Sequence, residues 1–264
     1  MTLSRGVPAR SGPPIFRTDI LANPGLSVPL GLAALAWLAL GLLARSSGGL
    51  PLCIGGPNAF GWQLQSAWVA EVTCLDPMIA VRWALMVFAM MLPVAAPHFS
   101  VAVAKTRPRH QGVVLAAALI SYVVVWLALG VPYLVLFVIS AAIDGASPWP
   151  LGPVGVFGLA ILWSLLPLRQ SALRRCHRVP AFFGGGPAQA QSAANWGAGL
   201  AVDCAAVCWP AMAAVMLSGQ GIMGMFVVTH VLLSERLAER PRKPFTTWPL
   251  ALLACAAVVK SGLA

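Results

Sequence analysis

Cys204, Cys208, Met212 and Met216 follow one another at intervals of four residues. On an α-helix, side chains four apart share one face, and the row drifts by about 40° per step at 3.6 residues per turn. Their sulfurs would therefore line a single stripe. Thiolate and thioether are soft ligands that select Cu(I), zinc or iron–sulfur chemistry, and the methionine content leans the set toward Cu(I). The same stripe also suits plain packing, since cysteine behaves as a small hydrophobe and methionine as a gap-filler. Asp203 stands next to Cys204. An acid inside an apolar stretch is costly and marks a proton-moving or thiol-tuning role; a hydrogen bond to a neighbouring helix near the interface is the alternative.

A second group of soft residues lies upstream. Met86, Met90 and Met91 are followed by Pro93, Pro97 and His98. Met86 and Met90 share a helical face, and the prolines would free backbone carbonyls along it. Set beside the cysteine stripe, these residues would complete a ligand ladder, although nothing in the sequence establishes that the two segments touch. His230 sits near Met223 and Met225 and is a candidate ligand or proton relay, or a histidine bonded across helices. Cys176 lies in the run Arg174-Arg175-Cys176-His177-Arg178, where the arginines are expected to depress its pKa. Cys53 and Cys74 leave two readings open, a disulfide or two free thiols.

These residues require apolar elements to hold them. The chain has 264 residues, of which 59% are hydrophobic and 9% charged, with a mean hydropathy of +0.83. An ordinary soluble domain carries about 25% charged residues, so a bilayer must supply the apolar surroundings. Seven apolar blocks are legible, near residues 27–44, 79–104, 113–143, 151–167, 197–218, 219–238 and 246–262. No block alternates as a membrane β-strand would, and a helical span needs about 20 residues. The expectation is an all-α polytopic transmembrane bundle of about seven spans. Residues 1–26 read as a disordered cytoplasmic tail, 27–264 as one transmembrane domain, 46–78 as an extracytoplasmic loop and 184–194 as a flexible linker.

The net charge of +10 falls in short clusters between the blocks. With the N-terminus inside, only Arg45, Arg82 and Lys260 fall outside, and the other 14 of the 17 basic residues fall inside. That asymmetry follows the positive-inside rule and puts the C-terminus outside. It assigns the charge to topology and anionic lipid rather than to nucleic acid, for which no groove-reading motif is present. There is no phosphate-binding glycine loop, HExxH or GxSxG, so soluble-type catalysis has no support.

The run RWALMVFAMMLPVAAPH resembles the W..M..AMM.P signature of an uncharacterised family of bacterial multi-span inner-membrane proteins predicted to bind metal. In order along the chain, SYVVVWLALG resembles that family's GY..vW element, LLPLRQSALRRCHRVP its PLK..CL..CR.P loop, and GAGLAVDCAAVCWPAM its G...G..C.GCCW..M segment. LLSERL stands where the family usually has Glu-Lys. The resemblance covers roughly 79–240 and implies a metal site, with Met90, Met91, Pro93, Cys176, Cys204, Cys208, Trp209, Met212 and Glu235 falling on the motifs. Ala172 and Val207 replace two of the family's cysteines, which leaves Cys204 with Cys208 as the surviving pair.

The reading that follows is a bacterial inner-membrane protein that binds or passes a soft metal, Cu(I) first. Its expected ligands are Cys204, Cys208, Met212, Met90, Met86, Met91 and His98, with Asp203 and His230 in tuning or proton roles. Its expected partners are the bilayer and a larger membrane complex or metal chaperone. The alternatives are an accessory or assembly subunit without transport activity, and, more weakly, a membrane oxidoreductase component.

Overall fold

Long runs of Ala, Leu and Val, broken only by isolated prolines, can satisfy their backbone groups within a lipid phase only as helices. A computed structural model describes residues 23–46, 77–144, 152–176, 182, 186–217 and 221–237, and among these every regular element is helical. The helices are α1 (Pro24–Ser46), α2 (Pro77–Ala104), α3 (Gln111–Asp144), α4 (Gly152–Leu165), α5 (Pro167–Cys176), α6 (Pro187–Leu217) and α7 (Gly221–Leu237), with a 3₁₀ turn at Pro108–His110. The cysteines at 53 and 74, the seventh apolar block and nearly all of the N-terminal tail lie outside the described residues.

Among the described residues, four helices are long and apolar enough to cross a membrane: Pro24–Leu43, Trp83–Ala104, Pro108–Pro132 and Pro187–Ala213. The chain is thus a helical protein with the makings of a multi-pass membrane protein. α4 has 14 residues and α7 has 17, so at 1.5 Å per residue they reach about 21 and 26 Å, short of a hydrocarbon core of about 30 Å. The outward faces carry Leu35, Leu38, Leu42, Ile120, Val124, Val131 and Val202, all exposed, as lipid-facing helices require.

Two elements differ from the sequence expectation. Residues 187–194 are not a linker but the first turns of α6. Alanine and glutamine are strong helix formers, and Pro187 occupies the start of the helix, where its missing N–H costs nothing. The basic run before Cys176 is also helical, as α5.

α6 is the hub, packed against α3, α4, α5 and α7, while α2 joins α1, α3 and α7. Close approach depends on two glycines. A Cβ on Gly25 would stand 2.6 Å from the Phe99 carbonyl oxygen, and one on Gly197 would collide with the Ala118 carbonyl and the Ser121 hydroxyl. Small residues let helix backbones meet in this way.

Two of the interior prolines, Pro93 and Pro210, are matched by tryptophans. Pro93 in α2 cannot bond the carbonyl of Ala89, and Trp37 of α1 donates its indole N–H there at 2.9 Å. Pro210 in α6 leaves the Ala206 carbonyl free, and Trp163 of α4 donates to it at 2.9 Å. These two freed carbonyls are each taken by a neighbouring helix, as a spanning helix requires.

Candidate metal centre

The stripe on α6 faces the core. Cys204, Cys208 and Met212 are all buried, while Val202 on another face is 57% exposed. α2 runs antiparallel to α6: Phe99 meets the Trp196 ring at 5.8 Å, and Met91 meets Cys208 further along. The two segments that the sequence could not join therefore touch through their soft side chains.

Cys208 Sγ lies 3.8 Å from Met91 Sδ and 3.8 Å from Met212 Sδ. Two sulfurs bonded at about 2.3 Å to one three-coordinate ion would stand about 4 Å apart, so each of the two Cys208–methionine distances suits a shared soft metal. Met90 and Met86 are equally buried on α2, but Met91 is the methionine that meets Cys208. Adjacent helical residues point about 100° apart, and packing against α6 selects one of them. His98 is buried seven residues beyond Met91, which is about 10 Å along the helix axis, so the two do not belong to one shell.

One turn from Cys208, Cys204 Sγ accepts a hydrogen bond from Arg236 Nη2 at 3.3 Å. Cys176 and the Tyr122 hydroxyl also lie within hydrogen-bonding reach of Cys204. Tyr122 in addition donates to the Met91 carbonyl at 3.3 Å, tying α3 to α2 just before Pro93. Cys176, on α5 and outside the four candidate spans, is buried. Its thiol is held well above the usual cysteine range, first by its hydrogen bond with Cys204 and then by burial. This reverses the expected depression, because Arg174 and Arg175 point away from the thiol and are exposed.

Buried charges surround this end of the site. Arg169 bonds Glu235 through both terminal nitrogens and also donates from Nε to the Val207 carbonyl at 3.1 Å. Asp203 pairs at 2.8 Å with Arg175, whose side chain is 53% exposed. His230 is exposed on α7. Among the described residues, no group of three or more His, Cys, Asp or Glu side chains is arranged to hold a metal, so an ion held at Cys208 relies on methionine sulfur.

Sequence reasoning missed Arg236 and Tyr122 as members of the site. Arg236 was counted among topology-setting loop charges, yet it closes an apolar block beside Glu235, and charges at that position are available to a helix interior. Tyr122 carried only the family resemblance of its GY..vW element and no spacing signal.

No curated protein and no solved structure matches the chain. A family model described as PpoB2, copper chaperone, matches residues 80–259, most of the chain and every element of the sulfur site. With its membrane-length helices and its buried thiol–thioether cluster, the chain belongs to the PpoB2 copper chaperone family and is a copper-handling membrane protein.

Proposed function

We propose that the chain holds Cu(I) between α2 and α6 on Cys208, Met91 and Met212, and releases it to a copper-accepting protein. The observation that carries this is the placement of Cys208 Sγ at 3.8 Å from two thioether sulfurs, with all three side chains buried. One thiolate with two thioethers is a soft donor set that discriminates against magnesium and calcium, which take oxygen ligands. Burial keeps water and competing ligands away from the ion, and a single thiolate makes the complex neutral, so it can reside at membrane depth without a counter-ion.

The remaining soft residues support a path. Met90 and Met86 continue along α2 from Met91, away from His98, so the methionine face leads toward one end of the helix and the histidine toward the other. The positive-inside distribution supports an N-terminus inside and about seven spans in a bacterial inner membrane. On that topology Cys204 lies on the cytoplasmic side of Cys208 and Met86 on the outer side.

The test is copper content. Protein purified from copper-grown cells and quantified by mass spectrometry should hold stoichiometric copper. The Cys204→Ser/Cys208→Ser form, shown to be folded, should hold almost none. Equal copper in both would remove the proposed site.

A further inference from the structure

Among the described residues, the buried charges around Cys204 do not balance unless sulfur supplies one of them. Arg169 and Arg236 are both buried where α5, α6 and α7 meet. Glu235 answers Arg169. Among the described residues Arg236 has no carboxylate: its Nη2 addresses Cys204 Sγ at 3.3 Å, and its buried Nη1 has no hydrogen-bond partner. A guanidinium stays protonated in proteins, and a buried cation lacking a counter-charge is costly. The sulfur it addresses has a second thiol, Cys176, within hydrogen-bonding reach.

Two thiolates on one Cu(I) supply the missing charge. The ion brings one positive charge, the sulfurs two negative ones, and both thiol protons leave to solvent, so the complex carries a net charge of minus one with no change in oxidation state. We propose that Cys176 and Cys204 form a second Cu(I) site, a bis-thiolate held against the Arg236 guanidinium. This inference rests on the copper-handling reading and gives it an order. Cys204 and Cys208 are one turn apart, so copper would step about 6 Å along α6, from two thiolates to one thiolate with two thioethers. The bis-thiolate site is the one nearer the basic α5, whose Arg174 and Arg175 are exposed.

Full-length protein in lipid nanodiscs, titrated anaerobically with Cu(I) against a chromophoric Cu(I) chelator, tests this. Wild type should take up two coppers per chain. Cys176→Ser should take up one, retaining the Cys208 site, and Cys208→Ser should take up one, retaining the bis-thiolate site. Arg236→Gln should weaken the bis-thiolate site by about a hundredfold, with Arg236→Lys recovering much of the loss and the Cys208 site unaffected by either. One copper per wild-type chain overturns the proposal, so a Cys176→Ser chain that fails to fold does not shield it. Two coppers in folded Cys176→Ser overturn it as well, as does loss of both coppers there, since the two sites would then be one. Failure of the copper-handling reading itself looks different, with wild type binding no Cu(I) at all.

Discussion

Met91 and Met212 each place a thioether 3.8 Å from Cys208, and leucine fills nearly the same volume without the sulfur. Met91→Leu/Met212→Leu should therefore weaken Cu(I) binding at least tenfold in chelator competition. It should cost less than about 1.5 kcal/mol of stability per site, because volume-conserving apolar exchanges are well tolerated. Glu235→Gln should do the opposite. It leaves the buried Arg169 guanidinium without its counter-charge, a loss on the order of 3–5 kcal/mol, seen as a large drop in the thermal unfolding midpoint in detergent. At this scale the sequence told much about α6 and less about its surroundings. The period-four row of Cys204, Cys208 and Met212 was legible because helix geometry alone sets it. The choice of Met91 over Met90 and the recruitment of Arg236 were not, because both depend on how other helices pack against the stripe.

At the scale of the helices, kinks are paired with caps. The Ala89 carbonyl freed by Pro93 is taken by Trp37, and the Ala206 carbonyl freed by Pro210 by Trp163. Trp163 also packs edge-on against Trp209, with ring centroids 5.4 Å apart. Trp37→Phe should lose roughly 1–2 kcal/mol, the cost of leaving a buried carbonyl unbonded. In a Pro93→Ala background, where the helix can satisfy that carbonyl itself, most of this penalty should vanish, and a double-mutant cycle on thermal stability reads the coupling directly. Gly197→Leu should drive α3 and α6 apart, since even a Cβ there collides with the Ala118 carbonyl; loss of the folded peak on size exclusion is the expected result. The apolar blocks announced most of the helices. The start of α6 was hidden because its Ala- and Gln-rich opening lacks hydrophobicity, although its helix propensity is high. α5 was hidden because clustered arginines read as loop.

For the molecule as a whole, copper handling requires that soft ligands contributed by distant parts of the chain be held together in an apolar interior. α2 and α5–α7 supply the sulfurs and charges, α3 adds the Tyr122 hydroxyl, and α1 and α4 take the carbonyls freed by Pro93 and Pro210. The basic clusters predict how this bundle sits in the membrane. A reporter fused after Arg178 should be active only as a cytoplasmic reporter, and one fused after Ala264 only as an extracytoplasmic one; the reverse pattern would contradict the topology. The membrane character was legible in composition alone, whereas the convergence of the four family motifs on one buried cluster became visible only in three dimensions.

X-ray absorption at the copper edge of Cu(I)-loaded protein shows whether sulfur binds Cu(I) at the junction of α2 and α6. A shell of sulfur alone at about 2.3 Å, whose amplitude falls in Met91→Leu/Met212→Leu and also falls in Cys208→Ser, is the predicted result. A shell dominated by nitrogen or oxygen, unchanged by those substitutions, would contradict the account.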